Sequence, residues 1–135
     1  MERKFFAFSC IAFLISIDVS VHAKELEDKI VFVSERQGTP EVFLVEGLDG
    51  RPVQLTRNLF ASSPSISPDG TEVVFISYPP AQAANILKLN IAKRRIEQLT
   101  HNAKKDIRYR SLDWSPDGRK ILFITATGPL EDPRT

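Results

Sequence analysis

The residues Ser67-Pro68-Asp69-Gly70 and the apolar run behind them, Val73-Val74-Phe75-Ile76-Ser77, are written twice in this chain. The second copy is Ser115-Pro116-Asp117-Gly118, followed by Ile121-Leu122-Phe123-Ile124-Thr125. Each copy spells a tight turn and then a strand. Proline presets the backbone for the second turn position, aspartate bonds its own backbone, and glycine takes the left-handed conformation that closes the turn. The run that follows is β-branched and aromatic and too short for a helix. One such turn suits a loop in any fold. Two in the same register are a repeat, and a repeat outranks local readings.

A third copy of the strand, Ile30-Val31-Phe32-Val33-Ser34, stands upstream without its turn. Aligning Phe32, Phe75 and Phe123 gives offsets of 43 and 48 residues. Other landmarks agree. Gln54-Leu55-Thr56 recurs as Gln98-Leu99-Thr100 at an offset of 44, and Val42-Phe43-Leu44-Val45 aligns with Ile86-Leu87-Lys88-Leu89. A period in the forties built from four short strands is the signature of a β-propeller blade. The expected fold is therefore all-β, with four-stranded antiparallel blades, about two and a half of them: an incomplete propeller.

The residues also carry a resemblance. Trp114-Ser115-Pro116-Asp117-Gly118 with Ile121-Leu122-Phe123, Ser34-x-Arg36-x-Gly38 before Val42-Phe43, and Leu48-Asp49-Gly50 before Leu55-Thr56 resemble the TolB-like propeller repeat, a WD-type repeat. That repeat occurs in bacterial periplasmic proteins and in the propeller domains of prolyl-oligopeptidase-like enzymes. The resemblance runs over roughly residues 29–127. It departs at Ile66, where the pattern has tryptophan, and at Ser77-Tyr78-Pro79-Pro80, where it has an Arg/Gly turn.

The chain divides in order. Residues 1–23 read as a secretory signal: Arg3 and Lys4, then an apolar stretch of 13 residues from Phe5 to Ile17, then Val21-His22-Ala23 suited to cleavage before Lys24. The stretch is short for a bilayer span and Asp18 interrupts it, so no stable span is expected after cleavage. Cys10 is the one cysteine, so the mature chain would have none. Export without disulfides fits a periplasmic or secreted protein. Residues 24–135 then hold a partial blade over 30–56, a full blade over 63–100 and a half blade over 111–127. Their strands are expected at Ile30–Ser34, Glu41–Glu46, Pro52–Thr56, Ser63–Ser67, Glu72–Tyr78, Ala84–Asn90, Arg95–Thr100, Ser111–Ser115 and Lys120–Thr125. The segments 58–63 and 101–110 are expected as crossing loops, and Gly128-Pro129 and Pro133 as the end of the last strand.

Val73-Val74-Phe75-Ile76 is apolar at every position, so both faces of that strand should be covered, as they are in a blade packed between two neighbours. Arg95-Ile96-Glu97-Gln98-Leu99 alternates, as an exposed edge should. Fewer than about four blades cannot close a ring. An open arc bares two apolar faces, which implies a longer propeller or copies that assemble, with the half blade completing a first blade by strand addition.

Catalysis finds no support in the pattern. There is no G-x-S-x-G elbow and no H-E-x-x-H. Ser62, Ser63 and Ser65 lie near Asp69 without a base to activate them. His101 with Asp106 or Asp113 has no repeating ligand spacing and reads as a solvated loop histidine. We therefore expect no catalytic, cofactor-binding or metal residues and no cofactor. The basic group Lys93-Arg94-Arg95, Lys104-Lys105, Arg108 and Arg110, with Tyr109 between, has the composition of a phosphate-binding patch. A net charge of +1 and export argue against nucleic acid and favour solvated turn charges, or else an anionic protein or cell-wall partner. Trp114 reads as packing between blades and Tyr78 as turn packing; the aspartates of both Ser-Pro-Asp-Gly turns read as structural. The resemblance implies an exported, non-enzymatic protein-binding module like the propeller part of TolB, without the α/β domain that precedes it there. The alternative is the leading propeller of a secreted prolyl-oligopeptidase-like peptidase, inactive alone. The partner would be another protein, or a second copy.

Overall fold

Three antiparallel sheets follow one another along the chain, and each is one repeat. The computed structural model describes residues 28–47, 49–103 and 107–127. The first sheet holds β1 (Lys29–Ser34), β2 (Glu41–Glu46) and β3 (Val53–Gln54) in that order. The second holds β4 (Ala61–Ile66), β5 (Glu72–Ser77), β6 (Asn85–Asn90) and β7 (Arg95–Gln98). The third pairs β8 (Ile107–Trp114) with β9 (Ile121–Thr127). This is an all-β, incomplete propeller whose full blade is the middle one. The segment 1–23, the lead-in before Asp28, Leu48, the stretch Lys104–Asp106 and the terminal Gly128, Pro129 and Pro133 lie outside the described residues.

Repeat position fixes pairing. Lys29 faces Glu46 and Ser34 faces Glu41 in the first blade; Glu72 faces Asn90 and Ser77 faces Asn85 in the second. The two tight turns are equally alike. Gly70 and Gly118 sit at φ 69° and 68°, where the left-handed backbone favours glycine. In each turn the glycine N–H donates to the serine carbonyl at 2.8 Å. The serine hydroxyl donates to the aspartate at 2.5 Å in one turn and 2.6 Å in the other. The aspartate then accepts the N–H two residues on, Thr71 or Arg119, at 3.1 Å.

The inner strands start earlier than their turns suggest. β4 begins at Ala61 and β8 at Ile107, ahead of Ser63 and Ser111 and inside segments expected as crossing loops. Each contains a bulge with one extra residue, between Ser62 and Ser65 in β4 and between Arg110 and Leu112 in β8. The bulge residues Ser63 and Ser111 have φ of 49° and 50°. A bulge breaks the two-residue alternation, so the part before it does not read as strand. The outer strand β3 is shorter than expected, only Val53 and Gln54.

The middle strand explains why the blades stack. Val73 and Phe75 point one way, into a core with Val42, Leu44, Leu55, Ala61, Leu87 and Leu89. Val74 and Ile76 point the other way, into a core with Ala84, Ile86, Tyr109 and Leu112. All four are fully buried. Two-sided burial of β5, expected from its composition, is thus shared between the first and third sheets. The alternating strand β7 is the exposed edge expected of it: every residue from Arg95 to Gln98 is exposed, Ile96 included. As the last strand of its sheet it extends beyond both cores, and only Leu99, past its end, packs against one of them.

Candidate functional site

The surfaces available for recognition are the two ends of the stack, the cleft between the turns, and two groups of cations. At one end, Ile30, Phe32, Phe43 and Val45 share the face of the first blade turned away from the second, as their cross-strand pairing requires. Phe32 stacks on Phe43 with ring centroids 5.8 Å apart, and Ile30 is 58% exposed. At the other end, Ile121 packs into the second core, and Phe123 meets Tyr109 edge-on with centroids 5.5 Å apart. Leu122 and Ile124 alternate with them and are bare, 74% and 58% exposed. The expectation of uncovered apolar faces at both ends holds among the described residues.

Between the second and third blades a cleft of about 360 Å³ opens beside the two Ser-Pro-Asp-Gly turns. Pro68, Pro116 and the indole of Trp114 line it with Asp69, Glu72 and Asp117. Trp114 is half-buried against the second core and its Nε1 donates to the Ser65 carbonyl at 3.1 Å. Its role is inter-blade packing with one polar anchor. The Ser67 hydroxyl, with the Thr71 N–H and hydroxyl, holds the Asp69 carboxyl below the usual aspartate range, and Ser115 with the Arg119 N–H does the same for Asp117. Both aspartates are spent on their own turns.

Ser62, Ser63 and Ser65 lie on β4 at or beside the bulge, and the Asp69 oxygens already accept from Ser67 and Thr71. Ser65 Oγ reaches Asp113 at 3.5 Å, a marginal contact. His101 is exposed, Asp106 lies outside the described residues, and Asp113 accepts from the Trp114 N–H at 2.8 Å. Among the described residues no group of three or more His, Cys, Asp or Glu could hold a metal.

The basic group is divided by the fold. Lys93 and Arg94 lie in the turn between β6 and β7 and Arg95 opens β7, at the outer rim of the second blade. Arg108 and Arg110 lie on β8, the innermost strand of the third, and Lys104 and Lys105 are outside the described residues. Tyr109 does not interleave with them at the surface: it is buried in the inter-blade core. Its carbonyl accepts from the Tyr78 hydroxyl, and its own hydroxyl accepts from Asn102. Burial pushes the Tyr78 phenol above its ordinary range despite that bond and the nearby Arg110 and Arg108. Tyr78 thus ties the second blade to the third.

A further polar motif recurs in both blades. Thr56 Oγ1 accepts from the Val42 N–H at 2.9 Å and donates to Glu41 Oε2 at 2.5 Å. Glu41 Oε1 accepts from the Leu59 N–H and the Thr39 hydroxyl, both at 3.1 Å. In the next repeat Thr100 accepts from the Ile86 N–H at 2.9 Å and donates to Asn85, which accepts from the Asn102 N–H at 2.8 Å. Glu41 is 1% exposed. It is a structural carboxylate satisfied by three donors.

No protein-family model matches the chain. Over 68 residues, half of the chain, it is 40% identical to a protein TolB homolog of Chlorobium luteolum. It superposes on TolB from Acinetobacter baumannii over 70% of its length, with 25% identity and a TM-score of 0.57. For a putative TolB from Agrobacterium tumefaciens the figures are 70%, 27% and 0.61. The repeats are TolB-like. The chain spans 15% of the Chlorobium protein and 23% and 33% of the two TolB chains, so the likeness is to part of each. The propeller domain of the Trilobed protease from Pyrococcus furiosus, described as having an open velcro topology, shares the fold at 21% identity and a TM-score of 0.53. The TolB-like stack has open ends and no helix, among its described residues, long and apolar enough to cross a membrane.

Proposed function

We propose that the chain is an exported, non-enzymatic module that binds another protein through its TolB-like blades. The observation that carries this reading is the 40% identity to a TolB homolog over half the chain. The bare apolar side chains at Ile30 at one end and at Leu122, Phe123 and Ile124 at the other add to it, because contiguous exposed apolar surface marks an interaction site. Export rests on the signal pattern of residues 1–23, which gives a mature start at Lys24 and a periplasmic or secreted location. Partners covering an open face are another protein, as the resemblance implies, or a second copy, as the uncovered apolar faces imply. The likeness to peptidase propellers is one of fold, and carries no hydrolase role for this chain.

The reading is tested by expressing the tagged chain in a Gram-negative host with a photo-crosslinking residue at Leu122 or Phe32. The expected result is a periplasmic product beginning at Lys24 that crosslinks to protein from those two positions and not from exposed Arg119. A cytoplasmic product that keeps residue 1 and yields no position-dependent adduct would contradict it.

A further inference from the structure

We propose that the outer-rim cleft between the first two blades docks an acidic, extended protein segment, pairing its carboxylates with Arg51 and Arg94. The inference rests on the binding-module reading and gives it a site apart from the open ends. The cleft encloses about 320 Å³. Leu44 and Ile91 give it an apolar lining, and Val53, 47% exposed, stands at its margin. Arg51 comes from the first blade and Arg94 from the second, so the site exists only because the two blades pack.

The backbone brings both residues to the cleft. Arg94 has φ 53° in the turn between β6 and β7, and its Nη1 donates to the Gln54 carbonyl across the blade boundary at 3.0 Å. Arg51 follows Gly50, where an added Cβ would lie 2.1 Å from the Glu46 carbonyl oxygen. Only glycine allows that approach, which fixes where the chain leaves the turn. Neither arginine has a carboxylate within ion-pair distance among the described residues. The one carboxylate lining the cleft, Glu46, already meets Lys29 at 3.3 Å. Lys93 and Arg95 lie apart from the cleft, in a separate hollow with Glu72, Lys88 and Glu97 on the other face of the blade.

Charge complementarity therefore selects an anionic partner, and the apolar lining selects its form. A guanidinium binds a carboxylate through paired N–H donors. An aliphatic side chain next to that carboxylate would cover Ile91 and the exposed Val53, a contact that a phosphate backbone cannot make. The occupant is thus a peptide in which acidic and aliphatic residues alternate, and nucleic acid is the rival outcome.

The experiment uses the purified chain and a fluorescein-labelled hexapeptide of alternating Glu and Leu, followed by anisotropy. Its Gln–Leu counterpart and a ten-residue oligothymidylate serve as comparison probes. The acidic peptide should bind at least about tenfold more tightly than the Gln–Leu peptide, and Arg51→Gln and Arg94→Gln should each weaken it by about fivefold. Arg119→Gln, on a distant turn, should leave it unchanged. Arg94→Gln also loses the bond to Gln54, so Arg51→Gln, at an exposed position, carries the test if the other variant unfolds. Equal binding of the Gln–Leu peptide, tighter binding of oligothymidylate, indifference to Arg51→Gln, or no binding would overturn the proposal. Any of these, with position-dependent crosslinks still seen at Leu122 or Phe32, removes the cleft and leaves the binding-module reading standing.

Discussion

Thr56 and Thr100 close each blade from the inside, standing 44 residues apart, as the repeat places them. Thr56 Oγ1 serves the Val42 N–H and the Glu41 carboxylate together, in a site where water cannot replace either bond. Thr56→Val should therefore cost about 1–3 kcal/mol, read as a lower urea midpoint, because it leaves the buried Val42 N–H without an acceptor and takes one of three donors from Glu41. Thr100→Val should cost less, since Thr100 and its partner Asn85 are only half-buried and uncharged. The Gln-Leu-Thr repeat is plain in the sequence, but its partner is not. Glu41 and Asn85 differ in charge, and a glutamate at a strand start reads as exposed. Only the matching interval to the threonine gives it away. Asp69 acts on pH. Its folded carboxyl titrates below the ordinary value of about 3.9, through Ser67 first and then Thr71. A depressed value stabilises the fold above the ordinary value and loses that stabilisation as pH falls through the folded one. Urea midpoints at pH 7 and pH 3 should show Asp69→Asn less stable than wild type at pH 7, with the gap closing at pH 3.

Position in the stack, more than residue type, sets the worth of a strand residue. Ile76 on β5 and Ile124 on β9 occupy the same repeat position, yet one is fully buried and the other 58% exposed. Ile76→Ala should cost about 2–5 kcal/mol, while Ile124→Ala should stay within about 0.5 kcal/mol; paired thermal denaturation curves compare them directly. Equal losses would mean that a further blade or partner covers β9. The sequence makes β5 legible because every position from Val73 to Ile76 is apolar. It hides the starts of β4 and β8, since Ser63 and Ser111 take left-handed backbone angles and Pro64 lies within the bulge. The basic group misleads in the opposite sense. Residues adjacent in the sequence from Arg108 to Arg110 alternate across β8, sending Tyr109 into the core, while Arg51, far away in the sequence, comes to lie beside Arg94.

At the scale of the molecule, two cores share one middle blade, and among the described residues the stack presents an apolar face at each side, with β1 and β9 at the edges of their sheets. Ile30 and Phe32 at one end are the repeat equivalents of Val73 and Phe75, which the first blade covers in the second. Leu122 and Ile124 at the other end are the equivalents of Val74 and Ile76, which the third blade covers. Each end thus presents a face that elsewhere in the same molecule is buried, and hydrophobic burial drives it to find a cover. The most direct measurement is the solution mass of the chain from Lys24 by light scattering over a range of concentrations, with circular dichroism on the same peak. We predict a β-rich species that self-associates, and a shift to monomer with unchanged dichroism in the double variant Ile30→Glu, Leu122→Glu. A stable, β-rich monomer at every concentration would contradict the claim that these ends cover one another between copies of the chain.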